Sequence, residues 1–459
     1  MKRTSKYIYP MRERLRHAFH RISNRSLQKM YPLRSNPPGD FSEAVQWRIS
    51  RVLRLLSSPP VSWEVRRVSR LDSGEGSHPT WNIRLISLGP VGNAPAPGDM
   101  FFVKWRNSPE KVQKILDIFG EDGSRRVSRG DSSSVFHPGK MVSGNLRDIL
   151  EREIDIDEAG GELLAWAGLN ERALQLKRFH KAHRAYHRRI LRSRNWDLPH
   201  PELQGMGYSL IHILEEMKEL PDIRDLVRWQ PGVEGRPYTV SGSSLTRDGR
   251  LEVEITVSRV FKQLKNVQHR RITLPARSSA FLTNRKPGDT VNAWLLPELH
   301  QFPHRLERKS PGLIAVATGS GISGPLSLLR SGEYGSPLWL IYGVRSWEAN
   351  SLYGSELLEY ERRGLISRLD IAESRPSDSA RKSEYVQAII WEQREEIVRQ
   401  LGNGAHIYLC GRLSMGRQVR ELFQEIFLDQ GLVSSPGEAE RFMEELEHRL
   451  IFQASVSGV

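Results

Sequence analysis

The stretch Leu313-Ile314-Ala315-Val316-Ala317-Thr318-Gly319-Ser320-Gly321 decides the fold class of this 459-residue chain. It begins as a short apolar strand and ends in a glycine-rich turn that leads into a helix near 325–329. Strands and helices then alternate, with strands at 338–342, 367–371 and 406–409 and helices at 355–362, 385–401 and 415–428. This alternation predicts a doubly wound parallel sheet with helices on both faces, over residues 310–459.

Three loops of this region follow strands, and open parallel sheets bind ligands where strands end. Their polar and small residues are Gly319, Ser320 and Gly321 in the first loop, Ser374, Arg375, Arg381, Lys382, Tyr385 and Gln387 in the second, and Cys410, Gly411 and Arg412 in the third. The glycines and the helix start of the first loop suit a diphosphate. The second loop suits a phosphate monoester such as the 2′-phosphate of NADPH. An exposed polar loop and a small core cysteine are the alternatives.

A second informative stretch is Gly235-Arg236-Pro237-Tyr238-Thr239-Val240-Ser241. Its alternation predicts a strand that sends successive side chains to opposite faces. Arg236 offers a planar cation for a diphosphate. Tyr238 offers a ring that can cover a flavin, and Thr239 offers a hydroxyl for a ring nitrogen. An ordinary strand after a turn is the alternative.

Short alternating strands surround this stretch, at 65–68, 81–86, 100–103, 251–257 and 291–294. The residues between them are mostly helical in pattern, with a helix at 109–119 and an exposed loop at 120–140. We therefore expect a strand-built domain over 61–300 with a helical insertion at about 105–229. A basic extension with a helix at 41–57 precedes it, over residues 1–60.

The charge balance is strongly basic, with 68 Lys+Arg against 54 Asp+Glu and a net charge of +14. Such a surface favours an acidic protein, a phosphorylated ligand or nucleic acid. The single cysteine, Cys410, excludes an internal disulfide and fits a reducing compartment. We find no apolar run of about 20 residues and no secretory signal, so we expect a cytoplasmic protein without a membrane span.

His180, His183 and His187 share a helix face, but the surrounding Lys and Arg favour a solvated basic helix over a metal site.

Taken in order, these segments resemble the reductase half of the NADPH-dependent diflavin reductases, the family of NADPH–haemoprotein reductase and sulfite reductase flavoprotein. The resemblance runs from about Val61 to the C-terminus. The matching segments are Pro97-Gly98-Asp99, 144–150, Arg236-Pro237-Tyr238-Thr239, 275–282 with 286–289, 342–345 with Leu352-Tyr353, Ser374-Arg375 with 385–387, and 408–411 with Met415. The ordered set is more specific than any one of its motifs.

The resemblance implies a ferredoxin–NADP reductase-like fold, which is α/β with an antiparallel β-barrel for FAD and a doubly wound domain for NADPH. It implies that Arg236 contacts the FAD diphosphate, that Tyr238 stacks on the flavin and that Thr239 lies near flavin N5, with Ser241 on the same strand. It assigns the FAD diphosphate loop to Ala276, Arg277, Ser278 and Ser279. It assigns NADPH to Gly319, Ser320, Gly321, Arg345, Ser374, Arg375, Lys382, Tyr385 and Gln387, and it places Cys410 by the nicotinamide.

Some positions depart from the family pattern. The family has glycine at Ala276 and an acid at Arg412. It ends with an acid and an aromatic where this chain has Gln453 and Ser455. Ala276 predicts a tighter diphosphate loop. The altered end predicts slower hydride transfer or a nicotinamide that enters without displacing a ring, and a degenerate reductase is a further alternative.

The resemblance implies an oxidoreductase that moves a hydride from NADPH to FAD and then passes electrons to a separate, acidic acceptor. The acceptor would be a flavodoxin-like or haem protein. We expect no FMN domain, because a flavodoxin-like domain needs roughly 140 residues, more than the 1–60 stretch before the strand-built domain contains. The alternatives are a sulfite reductase flavoprotein component with its haemoprotein partner, and a non-catalytic scaffold for an acidic partner. We do not expect nucleic acid as a partner, since few aromatic residues lie in the basic arm.

Overall fold

A computed structural model describes residues 59–72, 79–91, 94–131, 140–160, 163, 208–217, 219–233, 235–265, 271–296, 312–332, 334–378, 382–448 and 451–457. The chain divides into two compact units. The first is formed by the residues up to Val103, by Pro237–Arg259 and by the residues from Thr283 onward, and the second by Lys104–Arg236 and Val260–Leu282. The expected helix at 41–57, the three histidines of the insertion and Arg381 lie outside the described residues.

The described elements follow one another along the chain as β1 Val61–Arg70, β2 Thr80–Pro90, β3 Met100–Val103, α1 Pro109–Phe119, β4 Arg126–Asp131, β5 Lys140–Asn145, α2 Leu146–Arg152, α3 Leu210–Glu216, α4 Ile223–Trp229, β6 Arg236–Leu245, β7 Arg250–Ser258, β8 Phe261–Lys265, β9 Arg271–Pro275, α5 Arg277–Thr283 and β10 Thr290–Leu296. The later part contains β11 Leu313–Thr318, a 3₁₀ turn Gly319–Ile322, α6 Ser323–Ser331, β12 Leu338–Val344, α7 Trp347–Asn350, α8 Gly354–Arg362, β13 Arg368–Glu373, α9 Val386–Glu392, α10 Arg394–Gly402, β14 His406–Arg412, α11 Leu413–Asp429, α12 Pro436–His448 and β15 Phe452–Ser457.

The first part of the fold is a closed barrel with the strand order β1-β10-β3-β6-β7-β2. Alternate residues of these strands point inward, as closure of a sheet requires. Trp63 and Phe101 are fully buried and meet edge to face, with ring centres 5.0 Å apart. This aromatic pair fills the barrel interior and holds strands from two sides of it together.

The second part of the first unit is a parallel sheet with the order β13-β12-β11-β14-β15. Ile314 and Val316 of β11 pack in a core with α9, α10, α11 and α12. Ala315 and Ala317 pack in another core with α6 and α8. Helices therefore cover both faces of the sheet. The barrel and the doubly wound sheet confirm the expected ferredoxin–NADP reductase-like fold.

The second unit surrounds a separate apolar core, in which residues such as Leu116, Ile149, Leu214 and Leu226 are buried. Its described helices are α1 to α4 and all but the last residue of α5, and it also contains the hairpins β4–β5 and β8–β9. Asn107 ties the core together, because its amide nitrogen donates to the carbonyls of Leu150 and Ile154 at 2.6 and 2.7 Å. This unit provides the loop between β9 and α5.

The expectation of an exposed loop over residues 120–140 was wrong for residues 126–131, although residues 121–125 have no helix or strand and are mostly exposed. Residues 126–131 form β4, which pairs antiparallel with β5. Arg129 is only 2% exposed, and its guanidinium donates to the Glu153 carbonyl. The Ser, Gly and Arg content concealed the strand, because a buried arginine occupies a position that a sequence pattern assigns to solvent.

Candidate functional site

The carboxyl ends of β11, β12 and β14 approach one another closely at glycines. A Cβ added at Gly321 would overlap the Cys410 carbonyl, and one added at Gly411 would overlap the Thr318 hydroxyl. A Cβ at Gly343 would lie 2.9 Å from both Thr318 Cγ2 and Val386 Cγ1. The strand ends thus pack closely against one another, and glycine is needed at these three positions. In an open parallel sheet, this edge is where ligands bind.

The turn after β11 is built by its glycines and hydroxyls. Gly319 has a φ of +52°, a conformation that favours glycine, and its carbonyl accepts from the Tyr342 hydroxyl at 3.4 Å. The Ser323 hydroxyl donates to the Ser320 carbonyl at 2.9 Å. Gly319 is exposed, Ser320 is half-buried and Gly321 is buried. The predicted residues of this turn therefore lie together at the start of α6.

Arginines from three strand ends create a positive region at the same edge of the sheet. Arg345 follows β12, Arg375 follows β13 and Arg412 ends β14. The backbone nitrogen of Arg375 donates to the Arg345 carbonyl at 2.6 Å. Burial lowers the pKa of Arg345, and the charges of Arg375 and Arg412 lower it further. Like charges held together in this way are favourable once an anion binds between them.

The loop that follows β13 folds back on itself. The Ser383 hydroxyl donates to the Ser374 carbonyl at 2.8 Å, and the Glu384 nitrogen donates to the Glu373 carbonyl at 2.8 Å. These bonds bring Lys382 close to the strand end that carries Ser374 and Arg375. Lys382 and Arg375 are exposed, and Tyr385 is 63% exposed. Gln387 lies at the start of α9 and its amide donates to Gln418 Oε1 at 2.8 Å.

Cys410 lies near the end of β14 and is 6% exposed. It pairs in register with Ala317 of β11 and with Ser455 of β15. The strand β15 continues to Ser457, and Gln453 on it is 5% exposed and pairs with Tyr408. The expected C-terminal region is therefore the edge strand of the sheet, parallel to the strand that carries the thiol.

The predicted flavin stretch forms the beginning of β6. Arg236 is exposed, whereas Tyr238 and Thr239 are half-buried, so a ring or a phosphate can reach these side chains. Ser241 differs, because it is fully buried and its hydroxyl donates to the Glu254 carbonyl at 3.2 Å. The hydroxyl of Ser241 thus takes part in the barrel's own hydrogen bonds.

The predicted diphosphate loop lies in the second unit, where the Ala276 nitrogen donates to the Val260 carbonyl at 2.7 Å. Ser278 and Ser279 are each 5% exposed, and the Ser279 hydroxyl donates to the Ala276 carbonyl at 2.9 Å. The Arg277 guanidinium pairs with Asp155 and Asp157 and stacks over Trp105 at 5.1 Å. Arg277 therefore already has two carboxylate partners and an aromatic one.

Sequence reasoning missed Arg330 and Glu254, which form an ion pair 3.2 Å long between α6 and β7. It named Tyr353 only as part of a matching segment, without a role. These residues lie far apart in the chain and carry no local motif. They come together only where α6, from the parallel-sheet part of the first unit, packs against the barrel strand β7.

Comparison with known proteins gives the class. The oxidoreductase NAD-binding domain family matches residues 315–421, which include the turn after β11, the cations after β12 and β13, and Cys410. This match and the barrel together give a ferredoxin–NADP reductase-like fold that contains an oxidoreductase NAD-binding domain.

The similarity to full-length relatives is more specific. The chain is 30% identical over 380 residues to the sulfite reductase [NADPH] flavoprotein alpha-component of Shewanella oneidensis, covering 81% of this chain and 56% of the relative. The Vibrio cholerae protein of the same name is 26% identical over 378 residues, with 81% and 55% covered. A self-sufficient cytochrome P450 monooxygenase of Oidiodendron maius is 28% identical over 234 residues, with 49% and 21% covered. The chain thus resembles the FAD- and NADPH-binding reductase half of the diflavin reductases, and these similarities support FAD and NADPH as its cofactors.

The chain spans little more than half the length of the sulfite reductase flavoproteins that it matches. Among the described residues, no helix has the length and apolar character needed to cross a membrane.

Proposed function

We propose that the chain is an NADPH-dependent flavoprotein reductase, in which a hydride passes from NADPH to bound FAD and electrons then pass to a separate acceptor protein. The observation that carries this proposal is the edge of the parallel sheet where the glycine turn Gly319–Ile322 leads into α6. Cations from neighbouring strands lie at that same edge. Such an edge fits a dinucleotide phosphate, because backbone and guanidinium groups both donate to its oxygens.

The side chains have separate tasks in this proposal. Arg345 binds the nucleotide diphosphate, while Ser374, Arg375 and Lys382 bind the 2′-phosphate, which distinguishes NADPH from NADH. Tyr238 covers the flavin ring and Thr239 donates to it near N5. Cys410 lies beside the nicotinamide and excludes water there. The cofactors supply the hydride chemistry, and these residues supply binding and orientation.

The test is anaerobic mixing of FAD-loaded protein with NADPH and, separately, NADH, while the absorbance of oxidised flavin is followed. We expect fast bleaching by NADPH and slow bleaching by NADH. Arg375→Ala should raise the Kd of NADPH at least about 10-fold, since a hydrogen bond to a charged group contributes roughly 1.5–3 kcal/mol. It should leave the Kd of NADH within about 3-fold, a difference of under about 0.7 kcal/mol.

Arg362→Ala is the matched control, because Arg362 is exposed on α8 and pairs with Glu359 of the same helix. Its NADPH affinity should equal that of the wild type. Protein that holds FAD but is reduced by neither nucleotide would overturn the reductase proposal and favour a scaffold role.

For the acceptor we propose an acidic haem protein, either a cytochrome or the haemoprotein partner of a sulfite reductase. The names of the relatives support this class, and the net charge of +14 favours an acidic partner. The single cysteine suits a reducing compartment, so we place the reaction in the cytoplasm. The second-order rate of reduction of an acidic cytochrome should fall steeply as salt is added, whereas the rate with a neutral acceptor should not.

A further inference from the structure

Strand β6 contains a bulge directly after the residues proposed to hold the flavin. Val240 pairs with Ile255 and Gly242 pairs with Glu254, so Ser241 is the extra residue between them. A bulge leaves its residue outside the regular ladder of the sheet. The Ser241 carbonyl therefore needs a partner from elsewhere in the fold.

That partner is Arg330, which lies near the end of α6. Its Nη1 donates to the Ser241 carbonyl at 3.2 Å and to Glu254 Oε2 at 3.2 Å. Its Nε and Nη2 donate to the two carboxylate oxygens of Glu356 on α8, at 2.8 and 2.7 Å. One planar guanidinium thus joins two groups of the barrel to a helix of the parallel-sheet part.

Tyr353 covers this guanidinium, with its ring centre 5.0 Å from the Arg330 carbon. Its hydroxyl is within hydrogen-bond distance of Thr256 Oγ1 at 2.8 Å and accepts from Asn82 at 3.0 Å, both on barrel strands. Among the described residues, Tyr353 is the non-glycine residue with positive φ, at 60°. The left-handed region is unfavourable for a tyrosine, so the contacts of Tyr353 with Arg330 and the barrel strands hold it in this conformation.

The barrel also leaves room for Arg330. A Cβ added at Gly242 would lie 3.0 Å from Arg330 Nη1 and 3.3 Å from its Cδ. Burial alone would lower the pKa of Arg330, but Glu356 and Glu254 raise it well above its ordinary value. The guanidinium therefore stays charged.

We propose that Arg330 is a positioning residue for hydride transfer, which sets the distance between the flavin strand β6 and the nucleotide-binding turn before α6. The inference rests on the proposed function. Tyr238 and Thr239 lie just before the bulge, and the Gly319–Ile322 turn lies just before the helix that carries Arg330. Reacting atoms must come within about 3–3.5 Å, so a small displacement between these two segments slows the reaction strongly.

A second contact keeps α6 against the barrel when Arg330 is changed. The Gly98 nitrogen donates to Ser327 Oγ at 3.1 Å, one turn before Arg330. Loss of the guanidinium is therefore expected to displace α6 slightly without detaching it from the barrel.

The experiment compares Arg330→Gln and Arg330→Lys with Arg84→Gln. Arg84 is the matched control, because it pairs with the same Glu254 at 2.5 Å but belongs to the barrel strand β2. Stopped-flow reduction at increasing NADPH separates the limiting rate from the Kd, and FAD content and thermal unfolding are measured on the same samples. We expect Arg330→Gln to lower the limiting rate at least 10-fold, since a misplacement of about 1 Å costs about 100-fold. Its NADPH Kd and FAD content should stay within about 3-fold, equivalent to about 0.7 kcal/mol, and Arg84→Gln should keep the wild-type rate.

Arg330→Lys should recover only part of the rate, because an ammonium cannot bind Glu356 through two nitrogens and also reach the bulge. Deuterated NADPH provides an independent readout, since a full isotope effect in the slow variant shows that hydride transfer itself has slowed. If Arg330→Gln does not fold, Gly242→Ala takes its place, because the added methyl displaces the guanidinium and removes no charge.

An Arg330 variant with a wild-type limiting rate would overturn the inference. A variant that loses rate, FAD and nucleotide affinity in proportion would do the same, by showing a general structural role. These outcomes differ from failure of the proposed function, in which the wild-type flavin itself is not reduced by NADPH.

Discussion

Gly321 packs directly against the carbonyl of Cys410, so that the turn after β11 and the end of β14 leave no space for a side chain. The two residues come from segments 89 positions apart, and β11 and β14 pair in parallel register beside them. This contact joins the proposed diphosphate turn to the strand that carries the thiol.

Gly321→Ala should therefore disturb both segments. The new Cβ would meet backbone atoms, which cannot rotate away, and such overpacking costs about 1–3 kcal/mol. We expect a lower urea midpoint for the FAD-loaded protein and a higher NADPH Kd. Gly335→Ala is the control, because a Cβ there meets nothing within 4 Å. Equal midpoints and equal NADPH affinities for the two variants would contradict this close packing.

The sequence was sufficient to predict most of the alternation that builds the parallel sheet, because β11, β12 and β14 contain short apolar runs bounded by polar turns. Helix α1 was expected at 109–119 and is observed at Pro109–Phe119, where Ser108 accepts from the Lys111 nitrogen and Gly120 takes a left-handed conformation. Local signals of this kind are complete within a few residues. The expected helix at 385–401 is instead two helices, with Gln393 between them.

Contacts between segments that lie far apart in the chain could not be predicted from the sequence. Arg330 meets Ser241 and Glu254, which are 89 and 76 positions away in the chain. The strand β15 was not anticipated, because its burial depends on β14 and α11. The helix α12 was also missed, although its start carries a local signal, since Ser435 accepts from the Glu438 nitrogen. The candidate site was proposed from the residue types that follow each strand. That proposal requires only the order of strands and helices along the chain.

Arg277 gives a second prediction, in the second unit. Its side chain is 17% exposed and pairs with Asp155 and with Asp157, which is 5% exposed and also binds Lys111 at 2.5 Å. Arg277→Ala would leave a buried carboxylate short of a partner, and such a loss costs about 3–5 kcal/mol. We expect a large fall in the urea midpoint and a change of less than about 3-fold in the FAD Kd, measured where the variant is folded.

Lys262→Ala is a suitable comparison, since Lys262 pairs with Glu158 in the same unit and its side chain is 40% exposed. A folded Arg277→Ala protein that loses FAD affinity more than about 100-fold, or about 2.7 kcal/mol, would show instead that Arg277 binds the diphosphate.

Glu254 makes stability depend on pH. Burial would raise the pKa of this carboxyl, but Arg330, the Asn82 hydrogen bond and Arg84 outweigh burial and lower it. A carboxyl with a lowered pKa in the folded state adds stability above its unfolded pKa, and this stability is lost as the pH falls through the folded value. Glu254→Gln should therefore be less stable than the wild type at pH 7, and the difference should shrink as the pH falls below about 4, the unfolded pKa of a glutamate.

Urea midpoints measured between pH 7 and pH 3 check this prediction. Glu252→Gln on the same strand is the control, since Glu252 pairs with Arg84 at 3.1 Å and has no contact with Arg330 among those described. A Glu254→Gln deficit that stays constant across this pH range would show that packing, and not charge, stabilises the Arg330 contact.

Arg420 holds the C-terminal helices together. Its side chain is 8% exposed, and it donates to Glu447 Oε1 at 2.8 Å and to both carboxylate oxygens of Glu440 at 3.0 and 3.1 Å. The side chain of Glu447 is only 3% exposed. Arg420→Met keeps the length of the side chain but leaves the buried Glu447 carboxylate without its guanidinium, which costs about 3–5 kcal/mol.

We expect Arg420→Met to lower the urea midpoint clearly, and Arg420→Met with Glu447→Gln to recover part of the loss, because the second change removes the unpaired charge. Arg399→Ala is the surface control, since Arg399 pairs with Glu396 on the same helix and its side chain is 64% exposed. Its midpoint should stay near that of the wild type.

Since α12 leads into β15, which pairs with β14 beside Cys410, Arg420→Met should also raise the rate at which a thiol reagent modifies Cys410 in the folded protein. An unchanged rate in a clearly destabilised variant would show that the C-terminal strand holds its place beside the thiol without this ion pair.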